Sequence, residues 1–261
     1  MSSVVTTQSN DRVAFDRRGE GPAILFVAGA GPWRAIDQGT TQTAELLADR
    51  GFTTIVYDRL GRGESPADGP FTLDRELAAI NALISEAGGR AVLCGHSSGC
   101  SLALLAASRG LPVAGLALWE APLAPPPSGA DEFANQLRTL IAAGDLEGAL
   151  SFYMHDMPPE ILEAVKAIPA MIDQAASLQP DADSLAWAES APLSELLSDL
   201  RMPVLAMVGT SSYDEVMVPA AEMIAAAIPS AEWKRVPGAQ HEWEPVAMAD
   251  ELADFTTRAR S

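Results

Sequence analysis

Short runs of apolar, β-branched and aromatic residues alternate with longer stretches of helical periodicity along most of the chain. That alternation predicts βαβ units around a mostly parallel sheet. Residues 12-RVAFDR-17 alternate apolar and polar, as an early antiparallel strand does. The runs 23-AILFVAG-29 and 52-FTTIVYD-58 read as buried strands, the second followed by the turn-rich 61-GRGESPADGP-70. A helix is expected from Thr72 as N-cap, with Arg75 and Glu76 in its first turn. Its apolar stripe is Leu73, Leu77, Ile80 and Ile84, and Gly88–Gly89 ends it. Strand 91-AVLC-94, small-residue helix 98–109 and strand 113-VAGLALW-119 continue the pattern. After residue 200 come strand 203–209, helix 219–228, strand 232–236 and a closing helix near 245–259.

Between 122 and 200 the alternation stops. The segment is helical, as in 131-DEFANQLRTLIAAG-144 and 160-EILEAVKAI-168, and is punctuated by Pro158, Pro159, Pro169 and Pro180. It reads as a helical cap inserted in a core formed by residues 1–121 and 201–261. Insertions of this kind cover sites at the carboxyl ends of strands.

Composition narrows the function. The 261 residues are 48% hydrophobic, enough for a packed core, and carry a formal net charge of −18. A surface that acidic repels phosphate backbones and anionic lipid, which argues against nucleic-acid and membrane partners. Two cysteines, Cys94 and Cys100, are too few for a disulfide scaffold, and both read as small buried hydrophobes. The start MSSVVTTQSNDR has no apolar signal segment, and no run is long enough to span a bilayer, so a cytoplasmic protein is expected. His96, His155 and His241 are dispersed and no CxxC is present, so no metal site is expected. No glycine-rich nucleotide fingerprint appears either, and no cofactor is expected. The arginines of 59-RLGRG-63 read as part of a solvated turn.

The strongest chemical signal is 95-GHSSG-99, a G-x-S-x-G string between a short strand and a small-residue helix. A sharp strand-to-helix turn there lifts the Ser97 hydroxyl above the sheet, with glycines leaving the turn clear and a helix N-terminus behind it. A serine hydroxyl needs a base. His96 adjoins the serine and reads as a packing residue, and His155 lies in the cap. His241, in the loop 237-PGAQHEWEP-245, is left as general base. Two acids compete to orient it. Glu120 ends strand 113–119 in an apolar setting, where a carboxylate must be paired; Asp214 stands in the polar loop 209-GTSSYDEVMVP-219. For the oxyanion, backbone amides of Ser98 and of Ala30 in 28-AGAGPW-33 are the candidate donors. Trp33, Tyr153, Met154 and Trp187 are the candidate substrate contacts, and Trp119, Met157 and Trp243 extend that apolar set.

The order Ser97, acid, His241, the string GHSSG and the turn 58-DRLGRGES-65 resemble the α/β-hydrolase superfamily, whose members carry a D-x-x-G-x-G-x-S segment. The resemblance covers nearly the whole chain and implies an α/β-hydrolase fold: a mostly parallel central sheet flanked by helices, with a helical cap insertion. The sequence departs from the family in two places. Ala28–Gly29 stands where His-Gly is usual, and Ser212 stands where G-x-x-D places an aspartate after Gly209. GHSSG followed by WEAP is similar to members with a Glu after the sixth strand, among them lactone hydrolases acting on zearalenone, which implies Glu120 as the acid. The expected activity is cleavage of a small, apolar carboxylic ester or lactone through an acyl-enzyme on Ser97. A lyase or cofactor-free oxygenase using His241 as base, or a silent binding protein, are the competing readings; nothing in the sequence sets the oligomeric state. An aspartate nucleophile, as in dehalogenases and epoxide hydrolases, is excluded by Ser97.

Overall fold

Apolar runs become the central strands of one sheet, since a strand paired on both edges and covered on both faces leaves no backbone polar group unmatched. The computed structural model describes residues 2–157 and 159–259. Its strands are β1 (Ser3–Thr6), β2 (Arg12–Arg18), β3 (Ala23–Val27), β4 (Thr53–Tyr57), β5 (Ala91–His96), β6 (Val113–Trp119), β7 (Val204–Ser211), β8 (Ala231–Ala239) and β9 (Glu242–Trp243). They form a nine-stranded sheet ordered β1-β2-β4-β3-β5-β6-β7-β8-β9. Strands β3 to β8 run parallel to their neighbours in that block; β1, β2 and β9 pair antiparallel. All residues of β3 and β4 are buried, whereas β1, on the edge, is largely exposed.

The helices are α1 (Gln38–Asp49), α2 (Leu73–Glu86) and α3 (Gly99–Ser108), then α4 (Ala130–Ala142), α5 (Leu146–Tyr153), α6 (Pro159–Lys166), α7 (Pro169–Asp173), α8 (Gln179–Ala188) and α9 (Leu193–Leu196) of the insertion, and finally α10 (Asp214–Ala227) and α11 (Pro245–Arg258). Side chains alternate across a strand, so β5 feeds two cores. Leu93 packs with α2, α3 and α10 on one face; Val92 and Cys94 pack with α1 and α11 on the other. Thr72 caps α2 as expected, its hydroxyl accepting from the Arg75 amide.

Several elements differ from the sequence reading. Strands β1 and β9 and helix α1 lie in segments where no element was expected. Helix α10 starts five residues before the expected Pro219, which lies inside it. The tolerance is local: the turn before Pro219 is exposed, so the hydrogen bond that proline cannot donate is one that water replaces. Pro158 lies outside the described residues. Pro159 and Pro169 start helices α6 and α7 and Pro180 is the second residue of α8, positions where a fixed φ fits and no amide donor is needed.

Apolar residues of the insertion divide between two cores. Ala134, Leu137, Leu150, Met171, Leu178 and Ala182 form a separate cluster, while Ala188, Leu193, Leu197 and Leu200 join the main one. Helix α8 is seated directly on α3, where the small residues Ser101 and Ser184 bring their hydroxyls to 2.6 Å.

Beneath that seat lies an ion cluster, which corrects the reading of 59-RLGRG-63 as a solvated turn. The side chains of Arg59, Arg62 and Asp181 are fully buried and that of Glu76 nearly so. Asp181 of α8 accepts from Arg59 Nη1 at 2.5 Å and Arg62 Nη2 at 2.6 Å, and Arg59 also pairs with Glu76 at 3.1 Å. Arg62 donates further to the Ser177 hydroxyl and carbonyl of the insertion. Two cations and two anions leave no net charge in the interior. Removing one partner strands another charge away from water. Arg59→Met is therefore expected to cost roughly 3–5 kcal/mol of stability, read by urea denaturation followed by circular dichroism. A loss below about 1 kcal/mol would show that the cluster does not tie the insertion to the sheet.

Candidate active site

Three parallel strands end at neighbouring points on the sheet's carboxyl edge, and each delivers one polar side chain through a left-handed backbone. Ser97 follows β5 with φ +55°, and Glu120 follows β6 with φ +47°. His241, in the hairpin after β8, has φ +71°. Of the five non-glycine residues with positive φ among the described residues, four (these and Gln240) lie here. Such conformations cost energy and persist where the surroundings impose them.

At Ser97 the surroundings are glycines. A Cβ on Gly95 would come within 2.7 Å of Cys100 Cα, and one on Gly99 would run into the Val27 carbonyl oxygen, so the turn from β5 into α3 closes only with both. A Cβ on Gly29 would lie 2.9 Å from Ser97 Cβ, which shows how closely the loop after β3 approaches the serine. The Ser97 amide donates to the Trp119 carbonyl at 2.9 Å, tying the turn to the end of β6. The N-terminus of α3 stands directly behind.

His241 is the second of two residues connecting β8 to β9, and positive φ at both Gln240 and His241 is the geometry of a tight hairpin turn. Its carbonyl accepts two bonds, from Trp119 Nε1 at 3.0 Å and His96 Nε2 at 2.9 Å. Since a carbonyl only accepts, His96 carries its proton on Nε2. This corrects two readings. His96 is not mere packing, and Trp119 is a fully buried donor under the turn rather than a pocket wall. Burial, reinforced by the neighbouring His241, lowers the His96 pKa to about 4, so it is the neutral imidazole.

Glu120 supplies the partner for the His241 ring. Its Oε2 lies 2.6 Å from His241 Nδ1, its Oε1 accepts from the Gly209 amide at 2.9 Å, and its own amide donates to Met207. Burial opposes its charge, but the hydrogen bonds from His241 and the Gly209 amide outweigh burial and hold it below the ordinary carboxylate range. An ionised carboxylate accepts, which leaves the proton on Nδ1 and a bare Nε2. Gly209 is required: a Cβ there would stand 2.8 Å from Glu120 Oε1. Asp214 is elsewhere, exposed and paired twice with Arg235 at 2.8–2.9 Å, a pairing that lowers its pKa.

Neither the Ser98 nor the Ala30 amide has an acceptor among the described residues, and Ser98 is buried. The four expected substrate contacts separate. Trp33, Tyr153 and Met154 pack with the insertion's own cluster, whereas Trp187 packs with the main core. Trp33 lines a cavity of about 590 Å³ with Arg34, Ala170 and Gln174; Tyr153, Met154 and Trp187 are not among its walls. Trp243 is buried against Phe26, His96 and Trp119, and Met157 is exposed. His155 is exposed in the insertion, stacked on Phe152.

Stability in acid follows from the two shifted groups. The unfolded chain takes up a proton at the His96 position near pH 6.5, its ordinary value, which the folded chain refuses until about pH 4. Glu120, held below its ordinary value, acts with the same sign. The stability these groups contribute is thus complete above about pH 6.5 and drains as pH falls. Urea midpoints measured from neutral pH down to about pH 4 are expected to fall for the wild type and to fall less for His96→Asn. Equal slopes for the two proteins would rule out His96 as a source.

The comparisons agree with the fold. No protein of curated function matches the chain in sequence. Among solved structures, an alpha/beta hydrolase from Sphaerobacter thermophilus is 31% identical, covers 97% of this chain and 99% of its own, and superposes with a TM-score of 0.80. A thermophilic esterase from Thermogutta terrifontis is 24% identical over both full lengths with a TM-score of 0.70. An enol-lactonase from Burkholderia xenovorans is 20% identical, with 98% and 100% of the two chains covered and a TM-score of 0.68. Those last two likenesses speak to fold alone. The family model described as "Alpha/beta hydrolase family" matches residues 24–255, which take in the sheet from β3 onward with its helices and insertion, and the chain belongs to the alpha/beta hydrolase family.

Proposed function

We propose that the protein hydrolyses a carboxylic ester or lactone through an acyl-enzyme on Ser97. The observation that carries this reading is the 2.6 Å contact between His241 Nδ1 and a buried, ionised Glu120. It leaves Nε2 of the ring free to accept a proton, which is what a serine nucleophile requires. The steps follow. Ser97 Oγ attacks the acyl carbonyl as His241 Nε2 takes its proton. The developing oxyanion is held by the amides of Ala30 and Ser98, and Glu120 stabilises the imidazolium. The proton then passes to the alkoxide leaving group as the ester bond breaks. Water, deprotonated by the same Nε2, attacks the acyl-enzyme, and the proton returns to Ser97 as the acid departs. In a lactone the alcohol stays tethered to the acyl group, and the product is one hydroxy acid. Esterase and enol-lactonase relatives in fold are in keeping with this chemistry.

Tests separate the nucleophile from the acid. Incubation with a fluorophosphonate is expected to add one adduct to the wild type and none to Ser97→Ala by intact mass. A folded wild type that stays unlabelled at millimolar probe would sink the proposal. On p-nitrophenyl acetate, Glu120→Gln is expected to lower kcat by about 10³–10⁴-fold through loss of tautomer control and imidazolium stabilisation. Asp214→Asn should stay within about twofold, as expected for an exposed ion pair. The reverse pattern would transfer the role to Asp214.

A further inference from the structure

We propose that Asp181 of α8 is a positioning residue through which the helical insertion sets both halves of the oxyanion hole. The inference rests on the hydrolase reading above and adds a residue that touches no reacting atom.

Two contact chains start at its carboxylate. Through Oδ1, Asp181 accepts from the Ser98 hydroxyl at 2.7 Å, and it is completely buried in doing so. Ser98 lies between the nucleophile and α3, and its amide is one oxyanion donor, so the grip on its hydroxyl restrains the residue that carries that amide. Through Arg59 and Arg62, Asp181 reaches the loop after β3. Arg62 Nη1 donates to the Gly29 carbonyl at 2.6 Å; Arg59 Nη1 donates to the same oxygen at 3.3 Å and to the Ala28 carbonyl at 3.2 Å.

The Gly29 carbonyl and the Ala30 amide belong to one peptide unit. In a planar trans peptide the C=O and N–H point in opposite directions, so pinning the oxygen on two guanidiniums turns the Ala30 N–H the other way, away from the ion cluster. The same contacts polarise the unit. A carbonyl drawn toward two cations makes its N–H a stronger donor, and in a buried site the effect is not screened by water. Asp181 holds both guanidiniums in place and cancels part of their charge. Without it, two buried arginines face Glu76 alone, and their separation and hold on the Gly29 carbonyl change together.

The test uses p-nitrophenyl acetate and its thiono analogue, in which sulfur replaces the carbonyl oxygen. Sulfur accepts hydrogen bonds weakly, so the oxo-to-thiono ratio of kcat reports the oxyanion hole rather than the nucleophile or base. For Asp181→Asn, kcat on the oxo ester is expected to fall about tenfold, less than the roughly 10²–10³-fold loss on deleting a donor outright. The thiono rate and both KM values should change by less than about threefold, so that the ratio falls. Parallel losses on both substrates would overturn the inference, because a merely structural defect lowers both. If Asp181→Asn does not fold by circular dichroism, Ser98→Ala decides: it keeps every charge and the amide, removes only the hydroxyl grip, and should lower the ratio about threefold. An unchanged ratio there, in a protein that still labels with fluorophosphonate, sinks this inference and leaves the hydrolase reading standing. A wild type that neither labels nor turns over the ester removes both.

Discussion

The buried quartet of Arg59, Arg62, Glu76 and Asp181 is the constraint on which the rest of the molecule depends. It joins four parts of the chain, the loop after β3, the turn after β4, helix α2 and the insertion, the last about 120 residues from the turn. Apolar packing alone would let α8 slide or rotate on α3, since a surface of alanine, leucine and serine offers many nearly equal fits. Charges out of water permit one arrangement, because every other leaves an ion unpaired. What the quartet supplies is less net stability than uniqueness of placement.

A second constraint acts on the backbone. Ser97, Glu120 and His241 stand in conformations that free peptides avoid, each with a device to impose it: flanking glycines at the serine, a strand-end amide bonded to Met207 at the acid, a two-residue hairpin at the histidine. The devices interlock. Trp119, the last residue of β6, gives its carbonyl to the Ser97 amide and its indole N–H to the His241 carbonyl, and so measures the distance between two of the three strand ends. His96 repeats the measurement from the serine side.

Much of this was legible in the sequence. Strand runs, the small-residue helix after GHSSG and the candidates Ser97, Glu120 and His241 all follow from local pattern or from resemblance. What was not legible depends on partners far along the chain. Arg59 and Arg62 look like surface residues until Asp181, some 120 positions later, closes on them. The nearest sequence signal was Asp181 itself, an acid one residue beyond Pro180, but Asp183 close by gave no way to tell the buried acid from the partly exposed one. His96 and Trp119 could not be assigned because their acceptor is a main-chain carbonyl, which no residue letter encodes. Which core Trp187 joins was not legible either, because helical periodicity gives a face but not the core it faces.

If Glu120 is the acid, as proposed, its place at the end of β6 rather than after β7 has a consequence for which segments can be altered. The connection from Tyr213 into α10 keeps no charge aimed at the histidine; Tyr213 and Val216 are half exposed, and Asp214 is spent on Arg235. Drift, insertion or recruitment of a partner in that segment leaves Glu120 where it is, because its hold is on Gly209 within the strand. Under the proposed reading the acid stands at the end of a core strand, held by the Gly209 amide, and the exposed segment after β7 carries none of its partners in that strand.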